Sequence, residues 1–246
     1  MRTGGIPLKV TAIVQARMGS TRLPGKVMLT MQDKTVLGHV ITRLQRATRV
    51  DQIIVATSSL PRDLPVREEA ERYQVQSFAG SEKNLLERFF QATCSFPTDI
   101  IVRINADCPL LDPLLVDMMV ERFCSGKTMP DYLSNTLTRT FPKGLDVEIF
   151  TRTALEAAYL QAQNEDEQEH VTPFLYRRPE TFHLSSYINP ADYSRYRWKL
   201  ETVADWRFLR DVYRRLYLFN PLFSWQDVLA LLERQPELAE INSESR

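Results

Sequence analysis

Apolar, β-branched runs and amphipathic helical patterns alternate along the first half of the chain. Four short apolar runs predict buried strands at residues 9–15, 52–57, 75–79 and 100–104. Apolar positions three and four apart predict the helices between them: behind the cap candidate Thr35, over residues 65–73, behind the cap candidate Ser81, and from Asp112-Pro113 to about Phe123. Repeated strand–helix units are typical of an α/β fold with a mostly parallel sheet covered by helices on both faces.

The pattern changes in the second half, where several predicted strands follow one another. Strands are predicted at residues 132–136, 145–150, 182–188 and 196–202, and helices are predicted from Thr151 and over residues 164–176, 203–217 and 224–234. Pro173 should end or kink the second of these helices. No internal repeat and no long linker divides the chain. We therefore expect one α/β domain over residues 1–246, with an antiparallel excursion in its second half.

Composition argues against two classes of function, general nucleic-acid binding and membrane insertion. Lys+Arg and Asp+Glu both number 31, so the formal net charge is zero, whereas a general nucleic-acid binder is expected to be basic. No run of about 18 apolar residues predicts a membrane span, and residues 1–7 lack the apolar core of a signal peptide. Cys94, Cys108 and Cys124 form no CxxC pair and are predicted to be free, buried thiols. We expect a cytoplasmic protein that neither binds nucleic acid nor inserts into a membrane.

The loop after the first predicted strand carries the most chemistry. Residues 15–26 (QARMGSTRLPGK) contain two glycines, two hydroxyls and the cations Arg17, Arg22 and Lys26. In an open α/β sheet, ligands bind beyond the carboxyl ends of the strands, where this loop lies. Such a loop suits a polyphosphate, because backbone N–H groups form anion-binding concavities and arginine and lysine bind phosphate oxygens. Its spacing matches neither a Walker A motif nor GxGxxG, and an ordinary exposed basic loop stays an alternative.

Asp107 stands just beyond the strand predicted at residues 100–104, and therefore at the same edge of the sheet. A carboxylate opposite a triphosphate-binding loop is the expected ligand for Mg²⁺, which binds through one or two carboxylates plus phosphate oxygens. Aspartate also often closes a turn, so the residues alone support a metal ligand and a turn residue equally. Asp112 is better explained as a helix cap.

The whole loop string, R-x-G-S-x-R-L-P-x-K, resembles the opening motif of the cytidylyltransferases that activate acidic sugars, the acylneuraminate and 3-deoxy-manno-octulosonate enzymes. Its residue pattern is most similar to that of the branch named for spore coat polysaccharide biosynthesis protein F. The resemblance extends over nearly the whole chain. It includes residues 36–46 (VLGHVITRLQR), 54–58 (IVATS), 80–82 (GSE), 102–113 (VRINADCPLLDP), 134–136 (SNT), 144–150 (GLDVEIF) and 169–173 (EHVTP).

This resemblance implies a nucleotide-diphosphosugar transferase fold, which is GT-A-like and Rossmann-like, and a magnesium-dependent enzyme. The enzyme would transfer CMP from CTP to an acidic sugar, release pyrophosphate and serve surface polysaccharide or glycoconjugate synthesis as a homodimer. Residues 8–135 would form the nucleotide-binding half, and residues 136–246 the acceptor and dimerisation half. The implied nucleotide-binding residues are Ala16, Arg17, Gly19, Ser20, Arg22, Lys26, Ala56, Thr57, Ser58, Gly80, Ser81, Asn105 and Asp107, with Arg17, Lys26 and Asp107 catalytic.

The resemblance assigns Asp107 to Mg²⁺ and implies a second metal carboxylate in a late segment of the form W-T-V-D-x-P-x-D. In this chain, residues 198–205 have Lys199 for the threonine, Glu201 for the aspartate and Val203 for the proline. Glu201 can still coordinate magnesium, although it is one methylene longer than aspartate. Lys199 adds a cation, and strand alternation would put it on the same face as Glu201.

Residues 141–150 (FPKGLDVEIF) form the predicted acceptor side. Alternation puts Asp146 and Glu148 on one strand face, where they can hydrogen-bond sugar hydroxyls, and Arg139 or Lys143 would suit an acceptor carboxylate. Two other functions stay open. One is a glycosyltransferase of the same fold that consumes a nucleotide-sugar, and the other is a non-catalytic nucleotide-binding member, which the altered segment 199–205 favours.

Overall fold

A seven-stranded mixed sheet forms the centre of the molecule in the computed structural model, which describes residues 8–126 and 128–243. The segment 1–7, considered above for a signal peptide, lies outside the described residues. The strands are β1 (Val10–Gln15), β2 (Thr30–Met31), β3 (Lys34–Thr35), β4 (Gln52–Ser58), β5 (Gln76–Gly80), β6 (Ile100–Asn105), β7 (Tyr132–Ser134), β8 (Glu148–Thr151) and β9 (Leu184–Ser186). The sheet order is β5-β4-β1-β6-β8-β7-β9, and β2 pairs with β3 in a separate antiparallel hairpin.

Helices cover both faces of the sheet. They are α1 (Val36–Leu44), α2 (Leu64–Arg72), α3 (Leu85–Ser95), α4 (Pro113–Cys124), α5 (Arg152–Gln161), α6 (Glu165–His170), α7 (Pro173–Tyr176), α8 (Val203–Leu216), α9 (Trp225–Arg234) and α10 (Glu237–Glu240). On β1, Ala12 and Val14 join one apolar cluster and Ile13 joins the other, because successive strand side chains point to opposite faces. The predicted single α/β domain with a mostly parallel sheet is confirmed.

The four strands β5, β4, β1 and β6 run parallel, so their carboxyl ends meet at one edge of the sheet. Gln15 at the end of β1 is in register with Ala56 on one side and Asn105 on the other. The loops that follow these strands therefore leave the sheet next to one another. This arrangement brings residues 16–26 and Asp107 to the same place, although 81 positions separate Lys26 from Asp107.

Helix caps account for most of the helix starts. Thr35, Asp112, Thr151 and Ser224 each accept a hydrogen bond from a backbone N–H in the first turn of the helix that follows, as predicted for the first two and for Ser224. The cap predicted at Ser81 is wrong. Asn84 caps α3 by accepting from the backbone N–H of Glu87 at 2.8 Å, and the Ser81 hydroxyl instead accepts from the backbone N–H of Asn84 at 3.1 Å.

The strand predicted at residues 196–202 is absent from the described part of the chain. Its backbone groups bond to two different segments: Trp198 N–H donates to the Lys143 carbonyl at 2.6 Å, and Leu200 N–H donates to the Asp107 carbonyl at 2.8 Å. A strand needs one continuous partner, and only the isolated bridge between Lys143 and Arg197 forms here. The alternation argument for Lys199 and Glu201 therefore does not apply.

Other predicted elements also differ in their bounds, and three short elements were missed. The strand predicted at 145–150 begins only at Glu148, so Asp146 lies in the irregular segment before it. The helix predicted over 164–176 divides into α6 and α7 at Val171, whose φ of 67° is left-handed, two residues before Pro173. The short β2–β3 hairpin and α10 were missed because each is too short to carry a periodic pattern.

Gly144 packs directly against the backbone of the irregular segment at residues 198–199. Its φ is +112°, a conformation that favours glycine, and a Cβ there would lie 2.6 Å from the Trp198 carbonyl carbon and 2.7 Å from the Lys199 nitrogen. The close approach fixes where Lys199 and the residues after it leave the sheet edge.

Other sequence expectations concern the cysteines and membrane spans. The three cysteines are free, but only Cys108 is buried, whereas Cys94 and Cys124 are exposed, contrary to the prediction. None of the helices within residues 8–126 and 128–243 is both long enough and apolar enough to cross a bilayer.

Candidate active site

A cleft of about 410 Å³ opens at the carboxyl ends of β1 and β6. Its lining combines the loop after β1 with the start of α3, the end of α6 and residues 199–201. The lining residues are Gln15, Ala16, Arg17, Gly19, Ser20, Thr21, Arg22, Lys26, Val27, Glu82, Lys83, Leu85, Arg88, Arg103, Asn105, Asp107, Glu169, His170, Lys199 and Glu201. Seven lysines and arginines face four carboxylates in this set, an excess of positive charge that favours an anionic ligand.

The loop of residues 16–26 is closed by its own backbone. Both Ser20 and Gly25 donate their N–H groups to the Met18 carbonyl, at 2.9 and 3.0 Å, and Gly25 has the left-handed φ of 68° that this turn requires. Met18 N–H in turn donates to Asp63 Oδ1 at 2.6 Å, and the other oxygen of this buried carboxylate accepts from Ser58. Asp63 therefore anchors the loop from the neighbouring strand connection, a role that sequence reasoning missed.

Asp107 is held by two lysines. Lys26 Nζ donates to its Oδ2 at 2.5 Å and to the Leu200 carbonyl at 2.8 Å, and Lys199 Nζ lies 3.8 Å from the same Oδ2. The other oxygen, Oδ1, accepts only a weak contact from the Cys108 thiol at 3.6 Å among the described residues. Asp107 thus faces Lys26 and Lys199 with one oxygen and keeps the other available.

Glu201 lies among four cations. Its Oε2 accepts from Arg22 Nη1 at 2.8 Å and from Arg197 Nη2 at 3.0 Å, and Lys143 Nζ lies 3.9 Å from the same oxygen. Lys199 Nζ lies 3.4 Å from Oε1. Burial alone would raise the pKa of Glu201, but the four neighbouring cations outweigh it, and the pKa is lowered from its ordinary value.

Lys199 is the cation common to both carboxylates, and its side chain is only 21% exposed. Burial would lower its pKa, but the attraction of Asp107, Cys108 and Glu201 raises the pKa above its ordinary value. The ammonium is therefore held in its charged form between the two acids.

The two predicted metal carboxylates differ in how well they fit a divalent cation. Asp107 Oδ1 is a hard oxygen ligand without a strong partner among the described residues, and Mg²⁺ needs only one or two carboxylates when phosphate oxygens complete its shell. Both oxygens of Glu201 already face cations. No group of three or more His, Cys, Asp and Glu side chains suited to a metal occurs in residues 8–126 and 128–243. Asp107 fits the predicted magnesium site, whereas Glu201 does not fit it in this arrangement.

The residues predicted to contact the base lie beside the cleft and outside its lining. Ala56 is buried, and its carbonyl accepts from Ala16 N–H at 3.1 Å, while Ser58 is occupied by Asp63. The Thr57 hydroxyl is buried without a hydrogen-bond partner among the described residues. Gly80 accepts from Ser59 N–H at 2.9 Å. Through Ala16 and Asp63, Ala56 and Ser58 help to hold the loop of residues 16–26 in place. The assignment of this set of residues to the nucleobase stays a prediction.

Arg88 is a cleft residue that sequence reasoning missed. It is 3% exposed, and within the described residues its guanidinium forms no ion pair and its Nε has no hydrogen-bond partner. Burial, with a smaller contribution from nearby Arg17, lowers its pKa to about 10. The signal was available, because Arg88 stands three residues after Leu85 and hence on the apolar stripe of α3. A buried cation without a partner usually calls for an anionic or carbonyl ligand.

The predicted acceptor residues form three ion pairs, one of which is the contact of Lys143 with Glu201 described above. Arg139 Nη1 donates to Asp146 Oδ1 at 2.6 Å. Glu148 is buried away from the lining, and Arg103 Nη1 donates to its Oε2 at 2.5 Å. Tyr132 and Thr172 donate to its Oε1 at 2.6 and 2.7 Å.

Arg103, unlike Glu148, lines the cleft, and its Nε donates to Gln15 at 2.9 Å. Glu148 therefore does not line the cleft itself, and it acts on the cleft only by orienting the Arg103 guanidinium.

Comparison with known proteins was made for the sequence and for the fold. The family model described as cytidylyltransferase matches residues 11–221. The chain is 34% identical over 242 residues to an uncharacterized protein of Methanocaldococcus jannaschii, covering 97% of this chain and 96% of that one. It is 27% identical over 234 residues to the spore coat polysaccharide biosynthesis protein SpsF of Bacillus subtilis, covering 92% and 95%.

Two solved structures share the architecture. A cytidylyltransferase from Leptospira borgpetersenii superposes with a TM-score of 0.91 and 34% identity, covering 95% of this chain and 97% of that chain. The CMP:2-keto-3-deoxy-manno-octonic acid synthetase complexed with CTP superposes with a TM-score of 0.64 over 84% of this chain and 99% of that chain. At 17% identity, this second likeness shows a common fold.

Proposed function

Because the chain belongs to the cytidylyltransferase family and is therefore a nucleotidyltransferase, we propose that it transfers CMP from CTP to an acidic-sugar acceptor and releases pyrophosphate. The family resemblance predicted from the loop motif is thereby confirmed, and the acceptor is the new element of the proposal. The observation that carries it is the cleft itself, which has an excess of positive charge and in which Lys26 of the loop meets Asp107.

The triphosphate is assigned to the loop of residues 16–26. Arg17, Arg22 and Lys26 neutralise its charge, and the backbone around Gly19 and Ser20 cradles it. Lys26 is already directed into the cleft by its bonds to Asp107 and the Leu200 carbonyl, so little reorganisation is needed when phosphate arrives.

The nucleoside is assigned to the ends of β1, β4, β5 and β6, with Ala16, Asn105 and the residues around Gly80 nearby. Cytosine presents carbonyl and ring-nitrogen acceptors on its pairing edge. The aliphatic part of Arg88 lies against Gly80, where a Cβ would be 3.2 Å from Arg88 Cγ, and Arg88 lines the cleft, so its guanidinium is a source of donors for such acceptors. We assign Arg88 to nucleotide binding on this ground.

In the proposed reaction, an acceptor hydroxyl oxygen attacks the α-phosphorus in line with the leaving group. The new bond joins the acceptor oxygen to the α-phosphorus, the bond from the α-phosphorus to the bridging β-phosphate oxygen breaks, and pyrophosphate leaves. The hydroxyl proton passes to solvent or to phosphate. Positioning and charge stabilisation by Arg17, Lys26 and Lys199 supply most of the acceleration.

Asp107 would hold Mg²⁺ together with phosphate oxygens. When bound, the ion would neutralise phosphate charge and lower the pKa of the acceptor hydroxyl.

The acceptor side is assigned to residues within 136–246, the half that also carries the predicted dimer contacts, together with Arg103 from the end of β6. Arg103 faces the cleft with Glu148 behind it, which suits an anionic group, and Lys143 lies at the rim. Arg139 and Asp146 pair with each other and do not belong to the lining of the cleft, so their contact with the acceptor stays a prediction. An acidic sugar suits these cations, and the similarity to SpsF favours a role in surface polysaccharide synthesis. The homodimer and the cytoplasmic location stay predictions.

The test is incubation with CTP, Mg²⁺ and a panel of acidic sugars, followed by mass spectrometry for a CMP adduct and an enzymatic assay of pyrophosphate. We expect both products with at least one member of the panel and none without CTP. A chain that binds a nucleotide-sugar but not CTP would instead be a glycosyltransferase. CTP binding without any product would favour the non-catalytic alternative, whose specific support is Lys199 beside Glu201.

A further inference from the structure

The ammonium of Lys199 contacts both predicted metal carboxylates of the cleft, Asp107 and Glu201, as a bridging cation would. Lys199 Nζ is 3.8 Å from Asp107 Oδ2 and 3.4 Å from Glu201 Oε1, so it bridges both carboxylates. The side chains of Asp107 and Glu201 are 12% and 13% exposed, so solvent screens this contact less than it screens surface ion pairs.

The backbone around Lys199 is fixed from two directions. Leu200 N–H donates to the Asp107 carbonyl at 2.8 Å, and Trp198 N–H donates to the Lys143 carbonyl at 2.6 Å. Gly144 packs directly against the peptide that joins Trp198 to Lys199. The backbone position of Lys199 therefore follows from the fold of the segment, and the ammonium of this largely buried side chain is held by its ion pairs with the two carboxylates.

A divalent metal bridging the same two carboxylates would need to sit about 2.1 Å from their oxygens. The ammonium of Lys199 already contacts both of these carboxylates, and Glu201 also faces Arg22, Arg197 and Lys143. A second positive centre at this point would be repelled by all of these cations. The pattern W-T-V-D that this segment resembles has threonine where this chain has lysine, so the ammonium is a feature of this chain.

We propose that the ammonium of Lys199 takes the place of a divalent cation between Asp107 and Glu201. The chain then holds metal only through Asp107 Oδ1 together with nucleotide phosphates, and the ammonium of Lys199, held by Glu201, is the fixed cation that faces the α-phosphate. The inference rests on the proposed function for its catalytic meaning, but its binding test needs no nucleotide.

The test is Mn²⁺ binding without nucleotide, followed by electron paramagnetic resonance and by calorimetry. The variants are K199M, which keeps the length but removes the charge, and K199T, which restores the residue of the pattern. K83M is the matched control, since Lys83 lines the same cleft but forms no ion pair with either carboxylate among the described residues. Thermal melting checks that each variant is folded, and K199T replaces K199M if the latter is not.

We expect weak Mn²⁺ binding for the wild type and K83M, and affinity raised about tenfold or more in K199M or K199T, the scale on which residues around a metal alter its binding. Adding E201Q to either variant should abolish the gain. Equal affinity in wild type and K199 variants, or a gain that survives E201Q, would overturn the proposal. CTP binding is measured separately by thermal shift, so a protein that fails to bind CTP refutes the proposed function and leaves this result intact.

Discussion

The cleft has two walls, which differ in how they are held and in how their charges are used. The loop wall, residues 16–26, is closed by hydrogen bonds within itself and by one carboxylate, Asp63. The carboxylate wall, residues 197–201, is held by backbone bonds to Lys143 and Asp107, which are distant in sequence. The first wall follows from local turn chemistry, while the second exists only after the whole sheet has formed.

Their charges differ in the same way. Beside the loop wall, Arg88 carries positive charge that no described carboxylate pairs, and among the described ion pairs none includes Arg17. In the carboxylate wall, Arg197 and Lys199 both pair with Glu201, and they also pair with Asp205 and Asp107, respectively. The loop wall therefore has positive charge that can attract an anion. The charges of the carboxylate wall are paired within the protein and stay fixed. Each prediction below changes one of these two properties.

The largest effect is expected where the two walls meet, at Lys26. K26M removes the cation that joins the loop to Asp107 and Leu200, and kcat/KM for CMP transfer should fall by about 10²–10³-fold, because a preorganised charge in a buried site contributes on this scale. The measurement is pyrophosphate release at saturating acceptor.

The control for this variant is K34M, because Lys34 pairs with Asp33 away from the cleft. Activity of K26M within a factor of three of K34M would show that Lys26 has only a structural role.

The two walls should also differ in how much stability the protein loses when a glycine that packs in each wall is replaced by alanine. G144A places a Cβ within 2.6–2.8 Å of the Trp198–Lys199 backbone at a φ of +112°, and the free energy of unfolding should fall by about 2–4 kcal/mol. G25A, at a φ of +68°, meets only the flexible end of Met18 at 3.3 Å and should cost about 1 kcal/mol. Urea denaturation measures both, and equal losses would contradict the view that only the carboxylate wall depends on close backbone packing.

The difference between the walls also explains what the sequence could predict. The strands that end at Gln15 and Asn105, and the caps Thr35 and Asp112, follow from local periodicity and capping chemistry, and all were predicted. The motif of the loop wall sits directly behind β1, so its place at the sheet edge follows from the topology. The family resemblance then added what those patterns alone left open.

The carboxylate wall was mispredicted because its order comes from contacts remote in sequence. Residues 196–202 have strand-like composition, yet their backbone partners lie near residues 107 and 143. The burial of Glu148 was missed for the same reason, since its partners Arg103, Tyr132 and Thr172 come from three separate elements. Local pattern cannot report such pairings.

An intermediate effect is expected at the unpaired cation behind the loop wall. R88M removes a buried guanidinium, and CTP affinity should fall at least about tenfold if Arg88 donates to the nucleotide. The free energy of unfolding should hold or rise, because an uncompensated buried charge is replaced by an apolar side chain. Calorimetric titration with CTP and urea denaturation separate the two results, and lost stability with unchanged CTP affinity would assign Arg88 to the core alone.

The smallest effect is expected from the charge pattern of the carboxylate wall when pH changes. The pKa of Glu201 is lowered below its ordinary value of 4.5 by the cations around it. A carboxyl with a lower pKa in the folded state stabilises the fold above the unfolded pKa, and this contribution is lost as pH falls through the folded pKa. The advantage in unfolding free energy of the wild type over E201Q should therefore be full at pH 7 and decline progressively below pH 4.5.

Solvent screening limits this advantage to about 1 kcal/mol, since the Arg22 side chain that contacts Glu201 is 64% exposed. Urea denaturation at pH 7, 5, 4 and 3.5 measures it. E121Q, which removes an exposed ion pair with Arg49, is the matched control and should change stability less at every pH. A wild-type advantage over E201Q that stays constant down to pH 3.5 would mean that the four cations do not act on Glu201 as a charge cluster, and that this wall is held by its backbone alone.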